Sequence, residues 1–169
     1  MSAKSLIRTL ATTAVTGALL CAAPAMAQVV KYPNPGFGLI LQGAEVKAGT
    51  DLFYLSGQLA SPIDPKKTMA TSFDDLGDTK TQTISTLTKI KAILESKGYT
   101  MADLVKLTLF VAADPKTGKM DFAGANEGFK QFFNTTDNPT TVARSAFQVA
   151  ALAGPYYLIE IEAIAAKKK

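Results

Sequence analysis

This chain of 169 residues has no histidine, one cysteine and two arginines. The cysteine is Cys21 and one arginine is Arg8, so both fall near the start. Beyond residue 27 there is neither cysteine nor histidine, and Arg144 is the lone arginine. Disulfides, cysteine nucleophiles, a Ser-His-Asp triad and any His- or Cys-ligated zinc site are therefore excluded there. Acid–base work is left to carboxylates, lysine, tyrosine, backbone or water. The lysines are scattered apart from the tail Lys167-Lys168-Lys169. No basic stripe favours nucleic acid.

The first residues read as a secretory signal peptide. Lys4 and Arg8 precede an apolar stretch from Leu10 to Cys21, too short to span a bilayer. Ala25-Met26-Ala27 is a small-x-small cleavage site. Leu20 is too large for a lipobox before Cys21, so cleavage near Ala27 is expected, with a periplasmic or secreted product. Later segments are not apolar enough to span a membrane. Setting aside Lys4 and Arg8 leaves 16 cations against 14 anions, a net charge of +2. Residues 28–169 suffice for one domain.

Pro33 and Pro35 make residues 28–37 an extended arm. Residues 38–46 and 52–59 read as a β-hairpin around 47–51. A long loop follows over 60–78. Helix one is expected from Asp78 or Thr79, with capping-box spacing over Thr79 to Gln82 and an apolar face of Ile84, Leu87, Ile90 and Leu94. Gly98 is its expected stop. A strand runs over 104–112. Asp121 caps helix two, whose face is Phe122, Ala125, Phe129, Phe132 and Phe133. Strands at 141–149 and 156–165 complete an α+β order of β-β-α-β-α-β-β, a single sheet with both helices on one face. On the last strand Ile159, Ile161, Ala163 and Ala165 suit the helices. Leu158, Glu160, Glu162 and Ile164 face the other way. That second face is too apolar for water, which implies an oligomer with clefts at its seams.

Arg144 sits in the β-like run Thr141 to Val149 and shares a face with Val142, Ala146 and Gln148. A guanidinium there needs an anion. If the last two strands pair, Glu160 or Glu162 meets it directly or across a subunit boundary, as a structural ion pair. Alternatively its planar fork holds a ligand carboxylate, with a glutamate positioning water for attack. Ser56-Gly57-Gln58 offers either a close backbone approach to a ligand or an ordinary turn. Asn126 falls on the polar side of helix two.

These residues resemble the RidA family, the YjgF-type reactive-intermediate deaminases. The resemblance rests on Leu55-Ser56-Gly57-Gln58, Ile90 to Glu95 with Gly98, and Val105 to Val111. It continues through Asp121-Phe122-Ala123, Asn126 to Phe133, Ala143-Arg144-Ser145 and Ile159 to Ala165. It implies a chorismate-mutase-like subunit, a homotrimer with inter-subunit clefts, and hydrolysis of enamines and imines such as 2-aminoacrylate to 2-keto acids and ammonia. No cofactor and no metal are implied. Arg144 matches the family's carboxylate-binding arginine and Glu160 the glutamate associated with the attacking water. Ser56, with Gly57 beside it, and Asn126 match positions lining the cleft. Ala146 stands where the family usually has cysteine, and Ile40 where a tyrosine is common; both bear on pocket size. These two departures keep open an alternative, a non-catalytic trimer that binds small carboxylates or a protein partner. Ribonuclease activity, also attached to relatives, finds little here without histidine or a basic groove.

Overall fold

The computed structural model describes residues 28–168. The expected signal peptide, residues 1–27, lies outside the described residues.

Strand β1 (Val29–Pro33) pairs antiparallel with β2 (Leu41–Val46). This departs from the expected hairpin. The arm itself is a strand, and β2 takes it as partner rather than β3 (Thr50–Leu59). Pro33 ends the pairing at a register shift, where its missing N–H costs nothing.

The main sheet has four strands, in the order β3, β8 (Ile159–Lys168), β4 (Leu104–Val111), β7 (Ala143–Gln148). Strand β8 is antiparallel to both neighbours, while β4 and β7 run parallel. A small hairpin of β5 (Ala113–Asp114) and β6 (Lys119–Met120) follows β4. The single sheet expected from sequence is thus one four-stranded sheet with two separate two-stranded ladders.

Helix α1 (Thr79–Ser96) starts at Asp78, whose carboxylate accepts the Thr81 N–H at 2.8 Å. The expected capping box is absent. Gln82 is instead fully buried and ties the helix to a distant loop, accepting the Leu158 N–H and donating to the Tyr156 carbonyl. Gly98, at φ 76°, closes the helix as expected. Helix α2 (Phe122–Phe129) is shorter than its apolar pattern suggested, because residues beyond Phe129 turn rather than continue. It approaches α1 closely at Gly128, where a Cβ would come within 2.7 Å of Thr83 Cβ.

Both helices lie over one sheet face. Leu87, Ile90, Leu94, Ala125 and Phe129 share a core with Leu107, Leu109, Ile159, Ile161, Ala163 and Ala165. The alternation read from β8 holds over Ile159 to Ala165: the odd residues are buried here, and Glu160, Glu162 and Ile164 lie on the uncovered face, whereas beyond them Ala166 is buried and Lys167 exposed.

Candidate functional site

Strands β7 and β8 do not pair, because β4 lies between them. Arg144 stands opposite Leu107 on β4, whereas Glu160 stands opposite Phe110. Cross-strand partners share a face, and positions 107 and 110 of one strand point to opposite faces. Arg144 therefore projects toward the helices and Glu160 toward the uncovered face. Direct pairing of Arg144 with Glu160 or Glu162 within one subunit, one of the sequence expectations, is overturned by this topology.

Arg144 lies along a stripe of α2. Phe122, Asn126 and Phe129 are four and seven residues apart, so they fall on one side of the helix. The guanidinium Nη2 donates to Asn126 Oδ1 at 2.7 Å. Its central carbon lies 4.5 Å from the Phe129 ring centre and 5.7 Å from that of Phe122. Asn126 thus belongs to the arginine's seat rather than to a polar helix side. Phe129 serves the core as expected, stacking on Phe133 at 4.3 Å, and it also supports the guanidinium. The two phenylalanines were the residues sequence reading missed as part of the site. The spacing of Phe122 and Phe129 around Asn126 is the signal that could have found them.

The arginine is 9% exposed, and its Nη1 is buried without a partner. No carboxylate of the described residues forms an ion pair with it. Burial pulls its pKa down to about 10, which still leaves it charged at neutral pH. One charge-assisted hydrogen bond contributes about 1.5–3 kcal/mol and each ring about 0.5–2. Burying an unpaired ion costs several kcal/mol. These contributions are of the same order as that cost, and Nη1 still has no acceptor.

On the same face as Arg144, two residues along, is Ala146, opposite Leu109. Ile40 is beside the start of β7, where the Leu41 N–H donates to the Val142 carbonyl at 3.1 Å. Both residues are half-buried against the core.

The second group assembles on the uncovered face. Leu55 pairs with Ala163 and Gln58 with Ile161, so Ser56 and Gly57 bulge opposite the single residue Glu162. The Glu160 side chain lies across Gly57. A Cβ there would come within 2.7 Å of Glu160 Cδ, so only glycine leaves room for the carboxylate. Among the described residues nothing engages that carboxylate in a hydrogen bond or ion pair. A groove of about 290 Å³ on this face includes Ser56 and Glu162, with Tyr54, Lys106, Thr108 and Ile164. Neither Arg144 nor Glu160 lines it. The predicted residues thus form two groups: Arg144, Asn126 and Ala146 on the helix side, with Ile40 beside that strand, and Ser56, Gly57 and Glu160 on the other face.

Comparison with known proteins gives consistent results. The family described as Endoribonuclease L-PSP matches residues 44–167. A RutC family protein of Pyrococcus horikoshii is 41% identical over 123 residues, 73% of this chain and 84% of that protein. The 2-iminobutanoate/2-iminopropanoate deaminase of Salmonella typhimurium is 35% identical over 131 residues, 78% of this chain and 89% of the enzyme. The crystal structure of E. coli TdcF with bound serine superposes with a TM-score of 0.55 at 33% identity, covering 82% of this chain and 94% of TdcF. A Rid family protein of Yersinia pestis matches the fold with a TM-score of 0.62 at 23% identity, covering 82% and 98%.

Proposed function

This chain belongs to the RidA/YjgF family, and on that footing we propose that it hydrolyses 2-imino acids, and the enamines in equilibrium with them, to 2-keto acids and ammonia. The observation that carries the reading is the unpartnered Nη1 of Arg144, a buried cationic donor aligned by Asn126 and two phenyl rings. Relatives at 34–35% identity named 2-iminobutanoate/2-iminopropanoate deaminase support it. So does the serine bound to TdcF, which carries the same α-carboxylate.

In this reading Arg144 holds the substrate carboxylate and Glu160 holds a water. The water oxygen bonds to the imine carbon, and one of its protons passes through Glu160 to the nitrogen. Collapse of the aminoalcohol moves its hydroxyl proton to the nitrogen, breaks the C–N bond, frees ammonia and leaves a carbonyl. The imine carbon is already electrophilic, so alignment and proton transfer are sufficient. No metal or organic cofactor takes part.

Because Arg144 and Glu160 point away from opposite faces of one sheet, the reaction needs a second copy to bring a glutamate to the arginine. A homotrimer with sites at its seams meets that need. The same separation supports a second reading, in which the chain binds small carboxylates or a protein partner without turnover. RNA cleavage has little support, since the chain has no histidine and its one arginine past residue 27 is buried. We place the mature protein outside the cytoplasm, after loss of residues 1–27.

The test generates 2-imino acids from amino acids with an amino-acid oxidase and follows keto-acid release. Wild type is expected to accelerate release, and Arg144→Ala to lower kcat/KM on the order of 100-fold or more. Equal rates for the two proteins would end the catalytic reading. Calorimetric binding of keto acids without turnover would favour the second.

A further inference from the structure

We propose that Phe122 sets the side-chain preference of this site, selecting imines whose apolar side chain is larger than methyl. The inference rests on the carboxylate being held at Arg144.

Phe122 differs from its neighbours on the α2 stripe. Phe129 is fully buried and Asn126 is bonded to the guanidinium, but Phe122 is 41% exposed although its ring lies 5.7 Å from the arginine carbon. An exposed phenyl beside a buried, half-satisfied cation is a surface left to be covered. A 2-imino acid has its side chain one carbon from the carboxylate carbon. In this proposal the carboxylate meets the guanidinium from the side of the exposed Phe122 ring, 5.7 Å from the guanidinium carbon, which sets the side chain beside that ring. Asn126 offers no carboxylate to attract a charged side chain. Ala146, two residues from the arginine on the same face, presents only a methyl group. A methyl side chain would cover little of the ring, whereas a branched aliphatic or aromatic one would remove much of it from water.

Each added buried methylene contributes about 0.8 kcal/mol, about fourfold in kcat/KM. An isobutyl side chain is therefore expected to be preferred over methyl by roughly tenfold or more.

The experiment measures kcat/KM for imines made in situ from alanine, leucine and phenylalanine. In parallel, calorimetry measures binding of pyruvate and 4-methyl-2-oxopentanoate. Wild type should favour the larger substrate and the larger keto acid. Phe122→Ala should bring the leucine-to-alanine ratio near one, and Phe122→Leu should restore part of it. Thermal melts of each variant separate misfolding from altered preference. Turnover or binding without size preference, or a ratio unchanged in Phe122→Ala, overturns the proposal and leaves the imine reading standing. Neither turnover nor binding of any of these compounds removes both.

Discussion

Arg144 stood out in the sequence because nothing else past residue 27 shares its chemistry. Its partner Asn126 was harder to read. On a short helix the boundary between polar and apolar sides is set by what packs there, and the guanidinium itself turns the Asn126 side inward. Lys31 escaped sequence reading altogether. In the structure it is half-buried and donates to the Ala102 carbonyl at 2.8 Å, the Thr141 carbonyl at 3.0 Å and Thr140 Oγ1 at 3.1 Å. Burial outweighs the nearby charge of Asp103 and lowers its pKa from 10.5 to about 8. The unfolded chain therefore holds an extra proton between about pH 8 and 10.5, so stability rises with pH across that window. Denaturant melts of wild type and Lys31→Met from pH 7 to pH 10 are expected to show wild type gaining on the variant as pH rises. Parallel curves would refute a depressed lysine.

At the scale of elements, periodicity located the helices and the β4, β7 and β8 strands, since each buries a regular subset of side chains. Pairing was less legible. Strand order depends on long-range contacts, and alternation within β7 or β8 does not say that β4 enters between them. The β1–β2 ladder was missed because the two prolines dominated the reading of the arm, although Pro33 ends a strand without breaking it. The bulge at Ser56 and Gly57 was visible only as a glycine of uncertain purpose. Its purpose is spatial: the backbone leaves a gap that Glu160 fills. The obstructing atoms belong to the end of a flexible side chain, so Gly57→Ala can be accommodated by swinging the carboxylate away. The expected outcome is a free energy of unfolding changed by no more than about 1 kcal/mol, with a kcat reduced at least tenfold. Loss of stability with activity per folded molecule intact would argue instead for a purely structural glycine.

At the scale of the whole molecule, the uncovered sheet face carries Tyr54, 67% exposed, and Phe147, 44% exposed, the latter packed edge-on against Phe110 at 5.1 Å. Its apolar character was legible from the alternation along β8. That Arg144 and Glu160 lie on different sides of the sheet was not, because it follows from two registers at once. This separation makes the assembly testable through function. If each site takes its arginine from one subunit and its glutamate from the next, Arg144→Ala and Glu160→Gln are each inactive alone for different reasons. A trimer containing both variants then holds at least one site with both groups intact. Random mixing of equal amounts gives both groups to about one quarter of all sites. Co-refolded mixtures are therefore expected to recover about a quarter of wild-type activity, while each variant refolded alone stays at about a hundredth of it or less. If both groups were supplied by one chain, every site in the mixture would lack one of them, and the mixed sample would stay as inactive as its parents.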